Sequence, residues 1–165
     1  IQRIKKNPLK RVLRVGKVTL AGLESVLRMY RNPGTLPERV KVIQLLTRPA
    51  SAMQAQAEAL IPSLRESLAG CGLSIDAQPV KSQIGSGSLP VERLPSVALA
   101  ISAVDRAHEK KVVRLERLLR GSDIAVVGRL SEKTLLLDLR CLTEDKESTL
   151  RETILAAVQR LGTNK

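Results

Sequence analysis

The chain has 165 residues with a formal net charge of +12, and its 43% apolar residues include one Tyr, no Phe and no Trp. This composition indicates one globular domain with an aliphatic core, and it disfavours single-strand nucleic-acid modules that stack bases on aromatic rings. One His and two distant Cys exclude a zinc ribbon and a disulfide framework, so no metal site is expected. They also leave no basis for a Ser–His–acid or Cys–His catalytic set.

The positive charge is concentrated at the start of the chain. Residues 1–48 hold 12 Lys and Arg against 2 acids, and their first part has no acid at all. Such a run is either a solvated face or a binding surface for phosphate, carboxylate or RNA backbone. Apolar residues alternate with the cations here and predict that the segment packs, which favours anion binding. The cations are Arg3, Lys5, Lys6, Lys10, Arg11, Arg14 and Lys17, and the apolar residues are Leu9, Val12, Leu13 and Val15.

Arg11 and Arg14 are the best candidate anion ligands in this run. On a helix, a spacing of three residues turns both guanidinium groups to the same side. Each guanidinium can donate two charge-assisted hydrogen bonds to an oxyanion. The pair therefore suits a tetrahedral oxyanion.

Three amphipathic helices are predicted before residue 73. The first ends at Asn32, the second begins near Pro37, and the third is capped by Ser51 and is kinked or divided at Pro62. Their apolar stripes are predicted to face a core. These are Leu20, Leu23, Leu27 and Tyr30, then Val40, Ile43 and Leu46, then Met53, Ala57, Leu60, Leu64 and Leu68.

The rest of the chain is predicted to mix strands with helices. The expected elements are a strand over 73–77, a loop over 82–95, a buried strand over 97–101, a helix over 108–120, a hairpin with strands 124–129 and 134–140, and a helix over 150–161. This order predicts an α+β fold, with helices packed on one face of a mostly antiparallel sheet. We expect a basic connector over residues 1–17 and a single domain over 18–165.

Two further features of the second half are candidates for chemistry. The Gly/Ser segment around Gly85, Ser86 and Gly87 lacks the Gly-Lys-Ser/Thr ending of a phosphate-binding loop. A turn between strands is therefore favoured over backbone amides that face a ligand. Asp138 and Arg140 are neighbours on one side of the hairpin strand, and an exposed or interfacial ion pair is expected there.

Four segments, taken together, resemble the C-terminal part of the bacterial selenocysteine synthase family, L-seryl-tRNA(Sec) selenium transferase. They cover nearly the whole chain in the expected order, from about residue 1 to residue 155, and their combination is specific. The segments are NPLKRVLRVGKVTLAGLESVLRMY (7–30), LLTRP (45–49), SQIGSGSLPVERLPS (82–96) and VVGRL with LLLDLRCL (within 126–142).

The resemblance implies the small C-terminal domain of a fold type I, aminotransferase-like enzyme that depends on pyridoxal phosphate. Such enzymes convert seryl-tRNA(Sec) to selenocysteinyl-tRNA(Sec) with selenophosphate, as homo-oligomers in the cytoplasm. The family's large cofactor domain and N-terminal tRNA-binding domain have no counterpart in this sequence. We therefore expect that pyridoxal phosphate is bound by another part of the subunit.

The resemblance also implies roles for particular residues. The family's PL-x-R-x-x-R arginines bind the anionic selenium donor, and they fall on Arg11 and Arg14. The segment 85–87 and Arg140 are further candidate contacts. Gly16 stands where the family usually has an acid. None of the early lysines lies in the motif of the cofactor-binding lysine, so we expect no catalytic residue in this chain and no activity of the chain by itself.

Other functions remain open from the residues alone. One alternative is a non-catalytic basic domain for RNA binding or assembly, and another is a structural domain whose apolar surface covers a larger domain. No run approaches 18 consecutive apolar residues, so no membrane span is predicted. The basic start is not followed by the apolar core of a secretion signal. The roles of Arg129 and Arg140 are not assigned by the sequence.

Overall fold

The computed structural model describes residues 2–12, 14–83 and 93–162, and of Arg11 it describes the backbone alone. The chain forms two compact units, Ile1–Thr47 and Arg48–Lys165. The expected boundary after residue 17 stays a prediction. In the described ranges, no helix is long and apolar enough to cross a membrane.

The first unit consists of short helices. Its α-helices are α1 (Gln2–Lys6), α2 (Lys17–Tyr30), α3 (Leu36–Arg39) and α4 (Lys41–Thr47), with 3-10 helices at Pro8–Arg11 and Pro33–Thr35. The predicted first amphipathic helix is confirmed as α2, which begins after the extended Gly16 and ends before Pro33. The predicted second helix is interrupted at Val40, whose extended backbone separates α3 from α4.

The apolar residues of the first unit are mostly exposed. Leu36 is the one buried residue of this unit among those described. The stripe of α2 was expected to face a core, but Leu20, Leu23, Leu27 and Tyr30 are between 48% and 57% exposed. The expectation that the early apolar residues pack is also wrong, because Leu9 and Val12 are exposed.

The second unit is an α+β domain, as predicted. Its elements are α5 (Ala50–Ala69), β1 (Leu73–Gln83), β2 (Arg93–Ala103), α6 (Glu109–Arg120), β3 (Arg129–Ser131), β4 (Thr134–Asp138) and α7 (Glu147–Gly162), with 3-10 helices at Arg106–His108, Leu139–Cys141 and Glu144–Lys146. The four strands form one sheet in the order β1-β2-β4-β3. Every pair of neighbouring strands is antiparallel.

The strands differ from their predicted lengths. β1 runs on to Gln83, so the predicted loop from residue 82 begins later, and each residue of β1 pairs with one of β2. β3 begins only at Arg129, and the segment before it is not a strand. The predicted hairpin is confirmed, with Glu132 and Lys133 at φ 47° and 67° in a two-residue turn. Positive φ at both turn residues matches the right-handed twist of the strands.

Helix α5 is continuous through Pro62, so the helix is not divided there, and the alternative of a kink stays a prediction. Pro62 and Glu58 are both exposed, so the Glu58 carbonyl that loses its helical donor can bind water. Buried Ile61 and Leu64 hold the helix on the sheet at this point. The cap is also corrected, because the N-cap residue is Pro49 rather than Ser51.

The core lies between the sheet and helices α5, α6 and α7. Alternate strand residues face it, as the two-residue period of a strand requires. The largest fully buried members are Met53, Leu64, Leu68, Leu73, Ile75, Leu99, Ile101, Leu115, Leu119, Leu135, Leu139 and Ile154. Three residues of the opposite sheet face, Ala98, Ala100 and Leu136, form a second small buried cluster.

A tight contact joins the start of β1 to the start of α6. Gly72 has φ +74°, and a Cβ placed there would lie 2.5 Å from the ring of His108. The ring is held by a hydrogen bond of 2.6 Å between His108 Nδ1 and Asp105 Oδ1. Lys111 Nζ donates to the Cys71 carbonyl beside it, at 2.9 Å.

We predict that Gly72→Ala lowers the free energy of unfolding by about 1–3 kcal/mol. Alanine is strained at positive φ, and its Cβ would clash with the imidazole ring. Gly70→Ala is the matched control, because Gly70 has helical φ and its nearest neighbour would lie at 3.6 Å. Urea unfolding monitored by circular dichroism measures both variants. Equal stability of the two would contradict this account of the contact.

Candidate functional site

The segment that carries Arg11 and Arg14 is not one continuous helix. The Asn7 side chain accepts a hydrogen bond from Leu9 N at 2.9 Å and starts the 3-10 helix that ends at Arg11. Arg14 follows outside any helix, just before the extended Gly16 that precedes α2. Helical spacing therefore does not relate the two arginines. The joint use of their guanidinium groups stays a prediction.

The cations around this segment are available to an anion. Among the side chains described for residues 2–17, all cationic ones are exposed and none takes part in an ion pair. One internal contact is present, from Lys10 Nζ to the Lys5 carbonyl at 2.8 Å. Since no described carboxylate pairs with these cations, their charge is available to solution ions or to a ligand.

The second predicted contact region, Gly85, Ser86 and Gly87, lies outside the described residues. Its flanks are described, since Gln83 of β1 pairs with Arg93 of β2. The antiparallel ladder therefore places Gln83 and Arg93 side by side at one end of the sheet.

Arg140 is buried at 6% exposure, in the 3-10 helix that follows β4. Its guanidinium donates to the Pro95 carbonyl, and to the Arg48 carbonyl at 3.4 Å. These bonds fix the start of β2 to the start of the second unit. The structure thus gives Arg140 a framework role between β2 and Arg48, and its contact with a ligand stays a prediction.

The expected ion pair between Asp138 and Arg140 is wrong. Asp138 accepts hydrogen bonds from the Ser82 hydroxyl at 2.5 Å, from the Ser96 hydroxyl at 2.6 Å and from the backbone N–H of Arg140 at 3.0 Å. The strand ends at Asp138 and a 3-10 helix begins, so the alternation of a strand no longer relates the two side chains. Asp138 instead links β1, β2 and the end of β4.

Arg48 is a framework residue that the sequence did not single out. Its Nη1 donates to the carbonyls of Leu139 at 2.9 Å and Leu142 at 2.6 Å, and its Nη2 donates to Gln56 Oε1 at 2.9 Å. Gln56 in turn donates to Glu147 Oε1 at 2.5 Å. The one signal in the sequence was the place of Arg48 in the LLTRP segment.

The chain is similar throughout most of its length to known selenium transferases. The family model described as L-seryl-tRNA selenium transferase matches residues 1–143. The L-seryl-tRNA(Sec) selenium transferase of Serratia proteamaculans is 46% identical over 156 residues, which are 94% of this chain and 33% of that protein. The proteins of the same name from Klebsiella pneumoniae (strain 342) and Yersinia pestis (strain Pestoides F) are 45% and 43% identical, over 88% and 92% of this chain and 31% and 32% of their own length. The chain spans about a third of these relatives.

We predict that Arg48→Met lowers the free energy of unfolding by about 1–3 kcal/mol, because half-buried carbonyls and the Gln56 amide oxygen lose a charged donor. Arg65→Met is the control, since Arg65 is exposed on α5 and has no hydrogen bond or ion pair in the described chain. Thermal unfolding of both variants measures the difference. A midpoint for Arg48→Met that matches the control would show that the network contributes no stability.

Proposed function

The chain belongs to the L-seryl-tRNA selenium transferase family, and from this membership we propose that it supplies an anion-binding segment to an enzyme that makes selenocysteinyl-tRNA(Sec). The proposed substrates are seryl-tRNA(Sec) and selenophosphate, and the proposed assembly is a cytoplasmic homo-oligomer. The observation that carries the proposal is the family match over residues 1–143, which includes the acid-free cationic segment. Arg11 and Arg14 are the proposed ligands of selenophosphate.

The chemistry of this segment suits a tetrahedral oxyanion. A planar guanidinium donates two parallel hydrogen bonds to an anion and keeps its charge at any physiological pH. Arg14 is exposed, and Gly16 after it adds no negative charge. The first N–H groups of the 14-residue helix α2 follow, and no side chain caps them. Arginine, backbone donors and helix dipole all favour an anion at this point of the chain.

We propose pyridoxal phosphate as the cofactor of the reaction, bound outside the described residues. This cofactor needs a lysine amine, a charged partner for its ring nitrogen and a phosphate site in one place. The surroundings of three described lysines offer no such combination. Lys111 donates to a backbone carbonyl and Lys133 pairs with Glu109. Lys81 lines a cavity that contains no carboxylate among its described residues.

A basic RNA-binding module is the second candidate function. The observation that favours it is the uniform exposure of the described cations over residues 2–17. Exposed cations in an acid-free run bind a phosphate backbone without any defined geometry. In that case each cation would contribute about equally, and Arg11 and Arg14 would not differ from other arginines.

We predict that the double variant Arg11→Ala, Arg14→Ala weakens selenophosphate and sulfate binding at least about ten-fold, because charge-assisted contacts to the oxyanion are lost. The control is Arg31→Ala, Arg39→Ala, which removes the same charge from exposed positions of the same unit. Isothermal titration of the 165-residue chain measures the affinities, and the control is expected to change them less than about two-fold.

The two candidate functions separate in this experiment. Equal weakening by both double variants would contradict a defined oxyanion site. If RNA affinity then falls steeply with salt, with a log–log slope of roughly −0.7 per phosphate contact on single strands, the basic RNA-binding module is supported instead.

A further inference from the structure

A groove in the second unit combines positive charge with an apolar wall. Its volume is about 670 Å³, and Lys81, Arg93 and Arg129 line it together with residues from the start of α5. Neither the family resemblance nor the sequence patterns assigned a function to Lys81 or Arg93. The sequence left the role of Arg129 open.

The register of β1 and β2 explains how this groove forms. Lys81 lies opposite Pro95, and Pro79 lies opposite Val97. Residues two apart on a strand share a face, so Arg93 lies on the same side as Pro95. This side also bears buried Val97 and is the face that packs against the helices. Lys81 and Arg93 lie near the ends of these strands and border the groove on this face. Arg129 also lines the groove, but it pairs with Leu136 of the opposite face.

The groove carries positive charge that no described carboxylate compensates. No Asp or Glu lines it among the described residues. Within the described ranges, the side chains of Lys81, Arg93 and Arg129 form no ion pair or hydrogen bond. The 20-residue helix α5 begins here at Ala50, and its N-cap Pro49 offers no capping side chain. The positive end of the helix dipole therefore adds to the charge of the three lining cations.

The size and the walls of the groove indicate what it binds. A bare oxyanion would fill a small part of 670 Å³, whereas ligand pockets of this size hold small organic molecules. Pro79, Pro95 and Val97 give an apolar surface, and Ser51 and Gln54 add polar groups at its edge. The ligand thus needs an anionic group joined to a flat or apolar body with hydrogen-bonding atoms.

We propose that this groove binds a nucleoside phosphate, with the phosphate on Lys81 and Arg93, which share a sheet face, and the base and sugar against the proline and valine side chains. The nucleoside phosphate is either a residue of an RNA strand or a free nucleotide. RNA as the source of the nucleoside phosphate rests on the proposed function, because an enzyme that acts on aminoacyl-tRNA binds RNA. The groove is built from other residues than Arg11 and Arg14, so the two proposals are tested separately.

The test titrates the 165-residue chain with AMP, adenosine, inorganic phosphate and a single-stranded RNA of about eight nucleotides. We expect AMP to bind at least about ten-fold more tightly than adenosine or phosphate, because the groove contacts both parts of a nucleotide. The triple variant Lys81→Ala, Arg93→Ala, Arg129→Ala should lower AMP affinity at least about ten-fold. If RNA is the ligand, the log–log slope of RNA affinity against salt concentration should also become smaller by about 2 in this variant.

The matched control is Arg65→Ala, Lys110→Ala, Arg151→Ala, which removes the same charge from exposed positions of the second unit. It should change AMP affinity less than about two-fold, as should the Arg11→Ala, Arg14→Ala variant. Circular dichroism shows that each variant is folded. Tighter binding of the RNA than of AMP identifies RNA as the source, and the reverse identifies a free nucleotide. The proposal would be overturned by any of three results. These are equal losses of AMP affinity in the two triple variants, phosphate binding as tight as AMP binding, and no AMP binding at millimolar concentration.

Discussion

The antiparallel pairing of β1 with β2 is the constraint on which the second unit depends. Eleven consecutive residue pairs fix the register from Leu73 to Gln83. One face of the pair builds the aliphatic core against α5, and the other holds the Ser82 and Ser96 hydroxyls for Asp138. A slip of one residue would exchange these faces and expose the core. The same register sets Lys81 and Arg93 on the groove.

The two units differ in how they use their apolar residues. The second unit buries its aliphatic side chains between sheet and helices, whereas the first leaves most of them exposed. The charge is divided unevenly between the units as well, because residues 1–47 hold 11 of the 28 cations but only 2 of the 16 acids. A large uncompensated charge and open apolar surface suit a segment that binds a ligand or a partner rather than a self-sufficient core.

Periodicity was enough to predict the α+β class, helices α2, α6 and α7 and the final hairpin, because those elements carry regular apolar spacing and clear stop signals. Periodicity did not predict the break at Val40, because no residue there signals a helix end. It also did not predict that α5 continues through Pro62, where the carbonyl that loses its donor is on an exposed helix face and can bind water. The contacts of Arg48 join residues about ninety positions apart. The spacing of Arg11 and Arg14 identified a candidate pair, but their backbone is not the continuous helix that the spacing assumed.

The central claim is that Arg11 and Arg14 together hold the oxyanion of the selenium donor. The most direct measurement is nuclear magnetic resonance of the arginine side-chain Nε–H groups while selenophosphate is added to the isotope-labelled chain. The account predicts saturable shifts of the Arg11 and Arg14 signals at a common affinity, with the signals of Arg31 and Arg39 unchanged. Shifts of similar size at all exposed arginines, or none at Arg11 and Arg14, would contradict it.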